Sequence, residues 1–212
     1  MPTSSLPPAR LYLASRSPRR RELLLQIGIS FDPLIFRQAP RDDDELDETP
    51  QAGEDAANYV ERLARTKAEH GWRIVQGRRL RLQPVLAADT TVELNGDVIG
   101  KPADADAAQH ILHRLSGQTH RVLTAVAISY HERLETRLSR SEVRFRALDD
   151  DEIRRYVATG EPMDKAGAYA IQGRAAVFVE HLAGSYSGVM GLPLFETAQL
   201  LKIFHDLTRH HP

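Results

Sequence analysis

Apolar positions along this chain alternate between the rhythm of strands and the rhythm of helices, and the alternation is what first gives it shape. Leu11 to Ala14 form a short apolar run closed by Ser15, which predicts a first strand. Ser17-Pro18 then offers a cap followed by proline at the first helical position, and Leu23, Leu24 and Ile27 supply that helix's apolar face up to a stop at Gly28. Residues 37–55 are acidic and carry Pro40, Pro50 and Gly53, so they read as a surface loop. A helix from about Asp55 to His70 follows, with Tyr59, Val60, Leu63 and Ala64 on one side, and residues 71–84 read as a basic, irregular connection. The run VLAADTTVEL predicts a strand, and Asn95-Gly96 a two-residue hairpin into Val98-Ile99. Asp104 is placed to cap a helix bearing Ala107, Ala108, Ile111, Leu112 and Leu115, which stops at Gly117. Residues 120–130 and 134–146 read as two strands, Asp149 to Thr159 as a short helix and Val177 to Val179 as another strand. A last helix follows Pro193 with Ala198, Leu200, Leu201 and Ile203. The order is mixed α/β, without internal repeat or heptad run.

Length changes the picture little: 212 residues bury a sizeable core, and a single domain of two lobes is expected. Residues 1–9 read as an N-terminal extension and 207–212 as a flexible tail. With 28 basic against 29 acidic residues, the net charge of −1 supplies no bulk grip on nucleic acid or on an anionic membrane. The absence of cysteine removes disulfides, thiolate metal sites and thiol nucleophiles together, and fits a reducing compartment. MPTSSLPPAR lacks the apolar region of a secretory signal, and no apolar stretch is long enough to span a bilayer, so a cytoplasmic location is expected.

Five segments could carry chemistry. In Ser15-Arg16-Ser17-Pro18-Arg19-Arg20-Arg21, arginines crowd the first turn of a helix, where the dipole disfavours them unless an anion is bound. A solvated basic helix start fits the same residues equally well. Asp89, in the middle of an apolar strand, suits a metal ligand or a base for water, but also a carboxylate satisfied by backbone N–H groups. Gly96 to Pro102 superficially resembles a Walker loop. Its glycine spacing is one residue short, and Pro102 stands where a metal-binding hydroxyl belongs, so what remains is Lys101 as a point charge for phosphate or a plain surface lysine. Glu48 lies among many other acids, and Lys67 ends a helix where a cation is welcome anyway. The small-residue stretch Glu161 to Gly173 permits close backbone approach, and Gln172 has the donors and acceptor to read a base edge; tight packing alone explains the stretch as well. The histidines show no HExxH pattern, and no G-x-S-x-G elbow is present.

Taken in order, LYLASRSPRRRELL, LARTKA, LAADTTVELNGDVIGKP, LSGQTHRVLTAVA, EPMDKAGAYAIQG and GSYSGVMGLPLFET resemble the Maf family from Leu11 to about Ile203. The resemblance implies a Maf/ITPase-like α/β fold: a mixed sheet flanked by helices, with a substrate cleft between two lobes. It implies hydrolysis of a nucleoside triphosphate between the α- and β-phosphates with a divalent cation, Mg or Mn, and frequently a homodimer. By position, Asp89 resembles the catalytic aspartate, Lys67 and Lys101 the phosphate-facing lysines, and Glu48 the acidic residue on the metal side, with Asp89 as the second metal ligand. Asp43 to Glu45 offer another alignment for that acid. Ser15, Arg19 and Arg20 fall in the phosphate-cradling turn. Arg19, Thr90 and Gln172 have the identities of the dTTP/UTP branch rather than the 7-methyl-GTP branch. Other readings are the same reaction on another or modified nucleotide, and a nucleotide-binding regulator of septum formation.

Overall fold

The protein is described here from a computed structural model, covering residues 10–36 and 48–210, with side chains to residue 205. The N-terminal extension and the acidic positions 37–47, including Asp43 to Glu45, lie outside the described residues. The first strand β1 (Arg10–Leu13) leads into helix α1 (Pro18–Gln26), as the pattern predicts. Helix α1 ends where the N–H groups of Gly28 and Ile29 turn back to the carbonyls of Leu25 and Leu24. A strand that the sequence reading did not include, β2 (Ser30–Pro33), pairs in parallel with β1.

Helix α2 (Ala56–Gly77) is capped by Asp55, whose carboxylate accepts the Asn58 N–H at 2.8 Å. It runs two turns past the expected end at His70, so the segment expected to be irregular is largely helical. The reason is Gly71, which looks like a stop in sequence but is a packing device in space. A Cβ there would lie 2.7 Å from Val85 Cγ1, so its absence lets the helix lie close against the sheet, and Trp72 and Val75 continue the buried face.

Strand β3 (Val85–Leu94) turns at Asn95-Gly96 into β4 (Asp97–Ile99), and α3 (Ala105–Leu115) starts with the Asp104 carboxylate accepting from Ala107 N. Strands β5 (Thr119–Tyr130) and β6 (Arg133–Phe145) form a long antiparallel pair, followed by α4 (Asp150–Val157). The strand expected at Val177 to Val179 is shifted. Arg174–Phe178 is a 3₁₀ turn with Val177 67% exposed, and the strand β7 occupies Val179–Ala183. A short helix α5 (Tyr186–Met190) precedes α6 (Leu194–His210), whose backbone continues into the positions read as a tail.

The seven strands make one mixed sheet in the order β2-β1-β3-β5-β6-β7, with β4 on the far end of β3. Pairing is parallel on both sides of β1 and antiparallel from β3 onward. Buried apolar side chains fall into two clusters. Val85 to Ala88 belong to the first, with β1, α2 and α6; Val92 and Leu94 belong to the second, with α3, α4 and Phe145. Strand β3 runs through both, and Asp89, Thr90 and Thr91 lie where one cluster gives way to the other. Asp89 and Thr90 are half-buried there and keep access to the gap between the clusters, whereas Thr91 is buried. No helix of the described residues is long and apolar enough to cross a membrane.

Candidate active site

The polar break in β3 opens into a cavity of about 150 Å³. Lys67, Asp89, Thr90 and Lys101 line it, with Arg19 and Arg20 from α1. Gln172 is at the wall formed by Tyr169 and Ala170, together with Val92, Val122 and Met190. One side of the cavity is thus cationic and another apolar, with an amide on its border.

Lys67 is the centre of the charged side. Its Nζ lies 2.6 Å from Asp89 Oδ1 and 2.6 Å from Glu48 Oε1, joining helix, strand and loop. Tyr59 and Leu63 precede Lys67 at four-residue steps on α2, so the Tyr59 face is the Lys67 face. The Tyr59 hydroxyl donates to the Glu48 carbonyl at 2.9 Å, and Arg62 donates to the Thr49 carbonyl at 3.1 Å. Arg62 also grips both oxygens of Glu54 at 2.7 Å, and this fork holds the Glu54 pKa down to about 2. The helix therefore anchors the loop that presents Glu48. Burial pushes the Glu48 pKa up, but the charge and hydrogen bond of Lys67, then Lys101 and Arg20, outweigh it and hold it below the ordinary carboxylate value.

Arg20 is pinned by three acceptors. Its Nε donates to the Gly191 carbonyl at 2.7 Å, Nη1 to Ser15 Oγ at 3.3 Å and Nη2 to Thr90 Oγ1 at 3.2 Å. Burial lowers its pKa, with Asp89 opposing and Arg19 adding to the decrease. Thr90 and Thr124 are directly opposed in the β3–β5 register, with hydroxyl oxygens 3.0 Å apart, and Thr124 donates to the Gly188 carbonyl at 2.8 Å. A carbonyl only accepts, so the one proton of Thr124 goes to Gly188, and Thr90 supplies the proton between the two hydroxyls. Arg20, Thr90, Thr124 and Gly188 thus form a relay of hydrogen bonds that ties the first turn of α1 to α5.

The structure brings most of the sequence-derived residues to one place, with differences of duty. Asp89, Lys67 and Glu48 form one cluster. Ser15 is buried, and its hydroxyl serves Arg20 and the Ser17 N–H, while Ser17 lines the cavity in its stead. Thr90 faces the cavity, but its hydroxyl is engaged by Arg20 and Thr124. Arg19, Lys101 and Gln172 have no hydrogen-bond partner among the described residues, which leaves their polar groups for a ligand. Sequence reasoning missed Thr124 and the carbonyl of Gly191, as well as Asp164 and Lys165, an ion pair on the cavity wall. A threonine breaking the apolar run of β5 was the available signal for the first.

Among the described residues no group of three or more histidines, aspartates or glutamates gathers as a metal cage. Glu48 and Asp89 do fit the pattern of a Mg or Mn site. Each uses one oxygen on Lys67, hard carboxylate oxygens are the preferred donors, and such ions need only one or two carboxylates when phosphate and water complete the shell.

A mixed sheet with a cationic turn beside a lysine-bridged carboxylate pair is an α/β site suited to an anionic ligand. The chain belongs to the family described as Maf-like protein, whose model matches residues 10–204. It is 67% identical over 197 residues to the dTTP/UTP pyrophosphatase of Aromatoleum aromaticum, covering 92% of this chain and 96% of that one. The dTTP/UTP pyrophosphatase of Dechloromonas aromatica is 65% identical over 193 residues, covering 91% and 96%. That of Nitrosomonas europaea is 55% identical over 192 residues, covering 91% and 93%. The solved Ham1 protein of Staphylococcus aureus aligns with 93% of this chain and 98% of that one at TM-score 0.45 and 14% identity.

Proposed function

We propose that this protein is a dTTP/UTP pyrophosphatase, hydrolysing a pyrimidine nucleoside triphosphate to the monophosphate and pyrophosphate. The observation that carries the reading is the Lys67 bridge between Asp89 and Glu48, at the head of a cavity where the Arg19 and Lys101 side chains are hydrogen-bonded to no described residue. Water attacks the α-phosphorus, the bond from that phosphorus to the α–β bridging oxygen breaks, and pyrophosphate leaves. Asp89 takes the proton of the attacking water, and Lys67 fixes the carboxylate's orientation. Arg19, Arg20 and Lys101 meet the charge that accumulates on the leaving pyrophosphate. Glu48 and Asp89 would hold a divalent cation, whose chemistry there is charge neutralisation and activation of water. Gln172 reads the uracil or thymine edge from the apolar side.

Pyrophosphate release from a panel of nucleoside triphosphates, with Mg or Mn, tests the reading. Wild type should favour dTTP and UTP, and Asp89→Asn, which keeps the shape and removes the basic oxygen, should lose about a hundredfold or more in turnover. Near-wild-type turnover of that variant would remove Asp89 from the chemistry. Binding of nucleotide without any release would favour a regulator instead. The homodimer implied by the family and the cytoplasmic location expected from the sequence belong to the same proposal. Exposed Leu25, Tyr186 and Phe195 are suited to covering by a second copy, and a monomer in sedimentation would remove that part alone.

A further inference from the structure

Glu161 is charged, stands outside the lysine cluster, and is used by nothing described so far, yet two cavity-wall residues depend on it. Its carboxylate accepts the Arg174 N–H on both oxygens, at 3.0 and 3.2 Å, and the Tyr156 hydroxyl on Oε1 at 3.0 Å. That same Tyr156 oxygen accepts the Ala170 N–H at 3.3 Å, so Glu161 and Tyr156 together hold the backbone on both sides of Gln172. The main-chain carbonyl of Glu161 also accepts from the Lys165 ammonium. Fit is close: a Cβ on Gly173 would sit 2.3 Å from Glu161 Oε1, so the carboxylate occupies the space any other residue would fill. Burial, then the charge and hydrogen bond of Glu161, raise the Tyr156 pKa, so its hydroxyl stays protonated and keeps donating.

A turn held this way has few alternative conformations, whereas the Gln172 side chain itself is exposed and unbonded to any described residue. The position of its amide relative to the cavity is therefore set by the backbone, and the backbone by Glu161. We propose that Glu161 is a positioning residue for base preference, acting through the 170–174 turn to hold Gln172 against the pyrimidine edge. This inference rests on the reading of Gln172 as the residue that meets the base.

The test compares kcat and KM for dTTP and GTP in wild type, Glu161→Gln, Tyr156→Phe, Gln172→Ala and the double variant Glu161→Gln/Gln172→Ala. Circular dichroism confirms that each is folded, and Tyr156→Phe keeps the core ring while deleting only the hydroxyl. Gln172→Ala should reduce the dTTP-to-GTP ratio of kcat/KM by about fivefold to tenfold, the worth of one hydrogen bond. Glu161→Gln and Tyr156→Phe should reduce the same ratio in the same direction, through KM for dTTP more than through kcat. In the Gln172→Ala background, Glu161→Gln should change the ratio no further. A uniform change for both nucleotides in Glu161→Gln would mean only an altered charge near the phosphates and would overturn the proposal, as would additive effects in the double variant. If Gln172→Ala leaves the ratio intact, the base-reading role falls first and takes the proposal with it. If it lowers the ratio while Glu161→Gln does not, the proposal alone falls.

Discussion

His120 shows how a residue can be prominent in burial and silent in the reaction. Its Nε2 lies 2.9 Å from the Tyr169 hydroxyl, Phe145 packs edge-on against its ring, and only 1% of its surface is exposed. Burial holds its pKa down to about 4, so the folded protein keeps it neutral where the unfolded chain would protonate it near 6.5. A pKa depressed in the folded state costs nothing above pH 6.5. Stability is then lost progressively as the pH falls from 6.5 through 4, by roughly 3 kcal/mol in all. His120→Gln retains a partner for Tyr169 without titrating. Denaturant melts of that variant between pH 7 and 4 should fall less steeply than those of wild type, and parallel slopes would assign the acid sensitivity elsewhere. Glu54 adds to that sensitivity at lower pH, since its grip by Arg62 is present above about 4.5 and lost towards about 2.

Among the elements, α2 does most to place the site, and Gly71 decides how closely it lies on the sheet. Gly71→Ala should gain about 1 kcal/mol in helix propensity but lose about 1–3 kcal/mol to overpacking. The second effect should win because the atom met at 2.7 Å belongs to Val85, which is branched and fully buried. Urea denaturation should show a net destabilisation, relieved when Val85→Ala is added; a more stable single variant would mean that the sheet yields easily. The same glycine marks what the sequence could and could not disclose. The cap at Asp104, the helix starts at Asp55 and Asp149 and the Asn95-Gly96 turn were legible because the code for them is local. The end of α2, the start of β7 and the strand β2 were not, since each is decided by what packs or pairs across the fold. At the site, Asp89 and Gln172 announced themselves as polar residues in apolar or small-residue runs. Glu161 and Thr124 act on groups distant in the chain, and only geometry shows whom they hold.

At the scale of the whole molecule, the two apolar clusters are joined by strands that continue from one into the other, so the polar break at Asp89 is held from both ends by sheet hydrogen bonds. Flexibility needed to admit a ligand must then come from the helices and turns around the break rather than from the strand that carries the carboxylate. The cationic side of the cavity is closed by residues far apart in the chain, because Arg20 in α1 donates to the Gly191 carbonyl, just before α6. A ribosome makes Arg20 171 residues before Gly191. Until residue 191 is made the arginine has no Gly191 carbonyl to meet, and a polypeptide released before that point lacks this hold on Arg20. Arrested ribosomes bearing the entire sequence should hydrolyse dTTP only when a C-terminal spacer carries residue 191 clear of the exit tunnel. Activity from a nascent chain still lacking that segment would mean that the turn assembles without it.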